Sequence, residues 1–310
     1  MNCGRRTSDA IASFRFREDS FNETLAKSID RALDACHFND VDANCEDHLM
    51  TTDGDAVTIF ELREGDGTSW LTCLPFEDQG FVAAFGTRVG TVAGESADVT
   101  AERLVAALGL GNARLSMAKQ VHSAVVRVLA TDRDLSEIAR AECDAMTTAR
   151  RGTLLGIKTA DCVPVFIADT RTRAIAVAHA GWRGAVARIV ERTFATMVAK
   201  HGARRADCIA AIGPAISAQA YEVGAEVLAR FQSEFPYASR IVSNVHDDKG
   251  HIDLKEACAI QLELCGLDRE QIFVSDACTM SEPERWFSYR REGVAAGRIV
   301  SILGEAAPQT

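Results

Sequence analysis

Three short apolar segments follow one another in the middle of the chain, and they limit the folds open to it. They cover residues 153–157, 163–168 and 174–178, with five residues between each segment and the next. Apolar runs of this length, bounded by Gly, Asp and Thr, are typical of buried strands. A parallel crossover needs about a dozen residues or more, so these strands are predicted to pair in an antiparallel or mixed arrangement.

Strand and helix patterns are interspersed through the rest of the chain after residue 70. Further strands are predicted at 80–85, 125–129, 208–212 and 271–275. Four stretches have apolar residues at helical spacing and end near a Gly or a Pro, as helices do. These stretches lie at 97–108, 184–200, 221–235 and 253–265. Together the patterns predict a single α/β or α+β domain over residues 70–310.

The first 69 residues differ from the rest in charge. Residues 1–70 contain 15 Asp and Glu against 7 Lys and Arg, and the whole chain of 310 residues has a net charge of −10. We therefore predict an acidic, mostly flexible N-terminal extension over residues 1–69, with one short helix at 21–35. The acidic balance also disfavours a nucleic-acid partner.

The features of secreted and membrane proteins are absent from the sequence. No apolar run approaches the roughly 18 residues that a membrane span needs, and the N-terminus lacks the apolar block of a signal peptide. The ten cysteines are dispersed without a CxxC pair, which argues against a disulfide framework. The sequence thus predicts a cytoplasmic protein without a membrane partner.

Three reactive side chains stand at predicted strand ends, where clefts often form. His122 precedes one strand, Cys162 lies between two strands, and His179 ends another. Two imidazoles and one thiolate suit zinc, and three protein ligands leave a fourth position open, as in catalytic zinc sites. One interpretation is therefore a catalytic metal site formed by these three residues.

The same residues support two other interpretations. Cys162 is a candidate nucleophile activated by His179, with Asp161 orienting the imidazole, as in cysteine hydrolases. Alternatively, the histidines and the cysteine are structural residues without a chemical role. The spacing of the residues does not decide among these three interpretations.

Two basic segments are candidates for binding an anion. Gly181–Gly184 opens the strongest predicted helix, where backbone N–H groups and Arg183 suit an anion, although its glycines also suit a tight turn from strand to helix. Residues 288–293 include two arginines and fit either a phosphate site or a solvent-exposed turn.

A series of motifs runs from about residue 74 to residue 303. They include Lys119–His122, Cys143–Met146, Gly156–Val165, Ala178–Gly184, Ile212–Ile216, Tyr221–Gly224, Cys278–Thr279, Phe287–Gly293 and Gly297–Arg298. Their content and order resemble the YfiH-like, or laccase-domain, family. Its members were first labelled multicopper polyphenol oxidases and were later understood as zinc-containing purine nucleoside phosphorylases.

This resemblance implies a fold, a metal and a reaction. The fold is a single domain with a mixed β-sheet core flanked by helices, similar to that of the deamidating toxins with a cytotoxic-necrotizing-factor-like fold. The metal is zinc, with copper as the second candidate, held by His122, Cys162 and His179. The substrates are phosphate and a purine nucleoside (adenosine, inosine or methylthioadenosine), the products are the free base and ribose 1-phosphate, and an adenosine deaminase side activity is implied. Whether the protein is a monomer or a homodimer is left open.

The resemblance also suggests roles for individual residues. Arg88 and Arg298 are candidates for holding phosphate, with Arg183 behind them. Asp161 adjoins a metal ligand and is a candidate for orienting it or moving a proton. The alternatives are a copper-dependent polyphenol oxidase, a Cys–His hydrolase and a binding module without activity. The chain contains no His-x-His pair, several of which a multicopper cluster requires.

Overall fold

The computed structural model describes residues 58–91 and 94–305 of the chain. Within these ranges the chain forms two six-stranded sheets, a three-stranded sheet and the helices that cover them. The predicted fold class, a mixed β-sheet core flanked by helices, is confirmed. The part of the predicted N-terminal extension at residues 1–57 lies outside the described residues.

The first sheet takes most of its strands from the two ends of the described chain. Its strands are β1 (Phe60–Gly65), β2 (Thr68–Cys73), β3 (Phe81–Gly86), β4 (Arg114–Met117), β7 (Thr153–Thr159) and β15 (Ile299–Glu305). The spatial order is β1-β2-β3-β15-β7-β4. Neighbouring strands are antiparallel except for the parallel edge pair β4 and β7.

The second sheet is formed by the middle of the chain, and it too contains both antiparallel and parallel strand pairs. Its strands are β5 (Val126–Val128), β6 (Ala145–Thr148), β8 (Val163–Asp169), β9 (Ile175–Ala180), β10 (Cys208–Ile212) and β14 (Ile272–Val274). The order is β14-β10-β8-β9-β6-β5, with parallel pairs at both edges. A small third sheet consists of β11 (Glu222–Gly224), β12 (Val242–His246) and β13 (Lys249–Ile252).

The described residues also form nine α-helices. They are α1 (Leu74–Asp78), α2 (Ala97–Ala107), α3 (Asp132–Glu137), α4 (Trp182–Val186), α5 (Ile189–His201), α6 (Ala225–Glu234), α7 (Ala238–Ile241), α8 (Leu254–Leu264) and α9 (Tyr289–Glu292). Helix α2 shares an apolar cluster with the first sheet, while α5 and α8 share one with the second. No described helix combines the length and the apolar character that crossing a membrane requires.

A third apolar cluster lies between the two large sheets. In β8, Val165 and Ile167 point towards the helices, whereas Phe166 and Ala168 point towards the first sheet. Phe166 stacks on Phe85 of β3, with 4.6 Å between ring centroids. Because both faces of β8 are buried, its sequence is apolar at almost every position and shows no alternation.

The three consecutive strands predicted at 153–178 are present, but they do not form one sheet. β8 and β9 pair in the antiparallel sense, whereas β7 belongs to the first sheet. Residues 160–162 carry the chain from one sheet to the other. Asp161 and Cys162 therefore lie in a crossing between sheets rather than in a hairpin turn.

The structure differs from the predicted boundary of the extension. Residues 60–69, which were assigned to the extension, form β1 and the start of β2. β1 is an edge strand with largely exposed charged residues, and its Arg63 pairs with Glu61 and Glu77. Its polar sequence resembles the acidic segment before it, so the pattern did not reveal a strand.

The helix predicted at 184–200 is two helices. α4 ends at Val186 and α5 begins at Ile189, because Arg188 between them has a left-handed backbone with φ of 58°. The Arg188 side chain pairs with Glu191 in the first turn of α5. α4 follows directly on the end of β9.

Candidate metal centre

The structure brings His122, Cys162 and His179 together. His122 lies in the loop before β5, Cys162 ends the crossing between the sheets, and His179 is near the end of β9. Their candidate ligand atoms all lie within 4.8 Å of one another. The Cys162 Sγ atom is 3.9 Å from His122 Nε2, and the two imidazole rings meet edge to face with centroids 4.8 Å apart.

Local backbone conformations produce this convergence. His122 has φ of 59° and Asp161 has φ of 84°, both in the left-handed region. Gly181 follows β9, and a Cβ atom there would lie 3.0 Å from both Cys162 Sγ and His122 Cδ2. Glycine at this position therefore leaves the space that the sulfur and the imidazole occupy.

Asp144 connects the two histidines. It precedes β6, which pairs with β9, and its buried carboxylate accepts a hydrogen bond from His179 Nδ1 at 2.9 Å. The same carboxylate accepts from the backbone N–H of His122 at 3.0 Å and from that of Ser123 at 2.6 Å. Asp144 belongs to one of the sequence motifs above, but that motif did not assign it a chemical role.

The charges of these groups are strongly coupled. Burial raises the pKa of the Cys162 thiol, but hydrogen bonds and charges from His122 and His179 outweigh it and lower that pKa to about 6. Burial lowers the pKa of His179, whereas Asp144 and Cys162 raise it to about 9. Burial raises the pKa of Asp144, but His179 and Ser123 bring it down to about 2. The lowered pKa favours the thiolate of Cys162, the form that binds metals and acts as a nucleophile.

The donor set fits a borderline-soft cation. A thiolate and two imidazoles are common ligands of zinc and also bind copper. The carboxylate on His179 Nδ1 is the usual outer partner of a metal-binding histidine. The three residues therefore fit the predicted metal site.

The three residues line a cavity of about 840 Å³. This volume is in the range of small-molecule sites. Apolar and aromatic parts of the wall come from Trp182, Ile216, Tyr221 and Leu254. Positive charge comes from Lys119, Lys158, Arg183, Arg290 and Arg298. Asp161 contributes the single carboxylate among the lining residues.

Two of the three predicted phosphate-binding arginines line this cavity. The Arg183 guanidinium lies 4.2 Å from the centre of the Trp182 ring, and Arg298 donates to the carbonyls of Ala296 and Gly297. Arg88 is not among the lining residues. It donates to the Pro283 carbonyl, pairs with Glu292 and stacks on Phe287.

Arg290, one of the two arginines in the predicted basic segment at residues 288–293, also lines the cavity. Its guanidinium lies 5.3 Å from the centre of the Tyr221 ring. Its backbone N–H donates to Asp161 Oδ2 at 2.6 Å. The second arginine of that segment, Arg291, instead donates to backbone carbonyls around Thr279.

Asp161 has both carboxylate oxygens engaged. Oδ1 accepts from the Thr279 hydroxyl at 2.6 Å, and Oδ2 accepts from the Arg290 backbone. The Asp161 carbonyl also accepts from the Ile216 N–H. Asp161 thus ties the crossing between the sheets to the C-terminal segment, and this geometry suits an orienting role better than proton transfer.

Residues 87–305 match a family model described as multi-copper polyphenol oxidoreductase laccase. The chain belongs to this family. The predicted YfiH-like, laccase-domain resemblance is therefore confirmed, over most of the chain.

Similar proteins are named after two different activities. A purine nucleoside phosphorylase of Bacteroides thetaiotaomicron is 42% identical over 159 residues, which cover 51% of this chain and 59% of that protein. A purine nucleoside phosphorylase of Xylella fastidiosa is 34% identical over 251 residues, 79% of this chain and 91% of that protein. The adenosine deaminase RL5, from an unknown prokaryotic organism, is 37% identical over 197 residues, 62% of this chain and 75% of that protein.

Solved structures confirm the fold. YlmD from Geobacillus stearothermophilus matches with a TM-score of 0.71 and 28% identity, covering 80% of this chain and 99% of that one. YfiH from Bacillus licheniformis also gives a TM-score of 0.71, at 23% identity, and covers 79% of this chain and 98% of that one. The chain thus has the fold of these family members.

Proposed function

We propose that this protein is a zinc-dependent purine nucleoside phosphorylase. It takes adenosine, inosine or methylthioadenosine together with phosphate, and releases the free base and the sugar 1-phosphate. The observation that carries the proposal is the convergence of His122, Cys162 and His179 in a cavity whose other lining residues include three arginines. The names of the Bacteroides and Xylella relatives support it.

The cationic wall of the cavity suits phosphate. In phosphorolysis, a phosphate oxygen forms a bond to C1′ of the sugar while the bond from C1′ to the base breaks. The electrons of that bond go to the purine, which takes up a proton. Arg183, Arg290 and Arg298 line the cavity, and a guanidinium binds phosphate through paired hydrogen bonds.

The remaining residues serve the base and the metal. Trp182 and Tyr221 offer aromatic faces on which a purine stacks. His122, Cys162 and His179 would hold zinc, which when bound supplies a Lewis acid for the negative charge that develops during the reaction. Asp161 holds the Cys162 loop and the Arg290 backbone in register, so that the metal ligands and the phosphate site keep a fixed separation.

We propose adenosine deamination as a second activity of the same cavity. The relation to a protein named adenosine deaminase RL5 supports it. Deamination needs water rather than phosphate and yields inosine and ammonia. The two activities are therefore separable by the dependence of each product on phosphate.

The test measures products and metal on the same protein batch. Purified protein, metal-free and reloaded with Zn²⁺ or Cu²⁺, is incubated with each nucleoside with and without phosphate. We expect free base and ribose 1-phosphate from adenosine or inosine only when zinc and phosphate are both present, and no turnover by Cys162→Ala. Oxidation of phenols by the zinc form without ribose 1-phosphate would show that the assignment is wrong.

The arginines give a sharper test of the phosphate site. Replacing Arg183 or Arg298 by Ala removes a charged contact worth about 1.5–3 kcal/mol, so the KM for phosphate is expected to rise about tenfold or more. Arg88→Ala is the matched control, because Arg88 is held by Glu292 and Pro283 outside the cavity. Steady-state kinetics at varied phosphate measure the effect. If the KM for phosphate rises equally in all three variants, phosphate is not bound by Arg183 and Arg298 as proposed.

A Cys–His hydrolase is the second candidate function. Asp144, His179 and Cys162 form a chain of contacts like that of a cysteine nucleophile, its base and the residue that orients the base. Iodoacetamide distinguishes the two proposals. If Cys162 binds zinc, chelation speeds its alkylation and removes activity. If Cys162 is a hydrolase nucleophile, chelation changes neither the rate of its alkylation nor the activity.

A further inference from the structure

One buried carboxylate receives hydrogen bonds from both histidine segments of the candidate metal centre. The side chain of Asp144 is 0% exposed. Its Oδ1 accepts from the His122 N–H at 3.0 Å and from His179 Nδ1 at 2.9 Å. Its Oδ2 accepts from the N–H groups of Val121 and Ser123 and from the Ser123 hydroxyl, at 3.2, 2.6 and 2.7 Å.

The contact with His179 fixes which ring nitrogen faces the other ligands. An ionised carboxylate only accepts hydrogen bonds, so Nδ1 of His179 carries the proton in this contact. The lone pair that remains for a metal is on Nε2, on the side of Cys162. Asp144 therefore selects the ligand atom of His179.

The contacts with residues 121–123 fix the backbone that carries the other imidazole. His122 has a left-handed φ of 59°, which costs free energy for a residue with a side chain. Three consecutive N–H groups converge on Asp144 and hold this conformation. Without the carboxylate, these partly buried N–H groups would lose their acceptor.

We propose that Asp144 is the positioning residue that sets both histidine ligands at once, so that metal affinity depends on a side chain that does not touch the metal. The inference rests on the proposed metal centre. It goes beyond the ligand set, because it makes two ligands that are far apart in the chain dependent on one carboxylate.

Asp169 provides a matched control. It is also fully buried, and it accepts from the backbone N–H groups of Arg171, Thr172 and Arg204 at 2.9, 2.7 and 3.0 Å. It ends β8, whereas Cys162 precedes the same strand. Because an extended strand rises about 3.3 Å per residue, Asp169 lies about 20 Å from Cys162. Asp169→Asn therefore disturbs a similar cluster of backbone hydrogen bonds at a distance from the candidate centre.

The experiment compares zinc affinity, measured by competition with a chelator, in wild type, Asp144→Asn and Asp169→Asn. We expect Asp144→Asn to bind zinc about 10–100-fold more weakly, the range typical for loss of an outer partner of a metal ligand. Asp169→Asn is expected to stay within about twofold of wild type, even if urea unfolding shows that both variants lose stability. Equal affinity of Asp144→Asn and wild type, or an equal loss in both variants, would overturn the inference.

A measurement on the wild type keeps the inference testable if Asp144→Asn does not fold. Nitrogen-15 NMR of the zinc-loaded protein is expected to show His179 bound through Nε2 with a proton on Nδ1. Coordination through Nδ1 would overturn the inference while leaving the metal centre intact. A wild-type protein that binds no zinc would instead overturn the proposed function, and this inference with it.

Discussion

Two residues of the candidate site have a backbone conformation that is unusual for residues with a side chain. His122 and Asp161 both have φ in the left-handed region, a strain of about 1–3 kcal/mol each. Each is compensated by a buried carboxylate: Asp144 binds the N–H of His122, and Asp161 uses its own side chain to bind Thr279 and Arg290. Backbone strain and polar contacts thus coincide at the candidate site.

Replacing Gly181 tests how tightly the candidate ligands are packed. In Gly181→Ala the new methyl group would lie 3.0 Å from Cys162 Sγ and His122 Cδ2, so one ligand must move. We expect zinc affinity to fall about tenfold, or about 1.4 kcal/mol, in a chelator competition assay. Gly184→Ala is the control, since its Cβ would meet its nearest neighbours at 3.4 Å. Equal zinc affinity in the two variants would contradict the predicted crowding.

The element that matters most for the site is the crossing at 160–162 between the two large sheets. It leaves β7 in the first sheet, enters β8 in the second and presents Cys162 to the cavity. The Thr279 hydroxyl and the Arg290 N–H hold it through Asp161. A segment near the C-terminus therefore determines where a ligand from the middle of the chain lies.

Removing one of these contacts is expected to loosen the crossing. Thr279→Val keeps the side-chain shape but deprives the buried Asp161 carboxylate of a donor, at a cost of about 1–3 kcal/mol in the free energy of unfolding. In metal-free protein we also expect faster alkylation of Cys162 by iodoacetamide. Thr193→Val is the control, because its buried hydroxyl donates to a carbonyl within its own helix. Urea unfolding that shows no greater loss for Thr279→Val than for Thr193→Val would refute this role.

The sequence predicted some individual elements closely, but it did not predict how the strands assemble into sheets. Helices at 97–108 and 253–265 were predicted to within one residue at each end, because apolar periodicity and capping residues mark them. The separation of β7 from β8 was not predicted, since short apolar strands with five-residue connections look the same whether they pair or change sheets.

Contacts within the candidate site that depend on how the strands pair were also not predicted. The ligands were found through their motifs, whereas the role of Asp144 depends on the pairing of β6 with β9, which local sequence does not specify. Arg88 was assigned to phosphate from its motif, but its guanidinium is held by Glu292, 204 residues away in the chain.

On the scale of the whole molecule, the candidate centre depends on the complete fold. Its ligands come from a loop before an edge strand, from the crossing between the sheets and from a central strand. Such a set of donors does not exist in the unfolded chain. Metal binding should therefore stabilise the folded state as a whole.

We expect zinc to raise the thermal unfolding midpoint. At free zinc 100 times the dissociation constant, the stabilisation is about 2.7 kcal/mol, or about 5–10 °C for a domain of this size. Chelation should reverse the shift. Cys162→Ser should show a much smaller shift, because it lacks the thiolate. A midpoint that is the same with zinc and with chelator would argue against a metal centre built from these three ligands.

The order of the first sheet bears on how the protein is produced in the laboratory. The family match covers residues 87–305 and so ends with β15. One of the two neighbours of β15 in the sheet is β3, which lies before residue 87. A shortened version designed on the matched region alone would leave β15 with an open hydrogen-bonding edge and would remove Phe85 from its stack on Phe166. Such an edge invites association between copies, so expression trials should start upstream of β1.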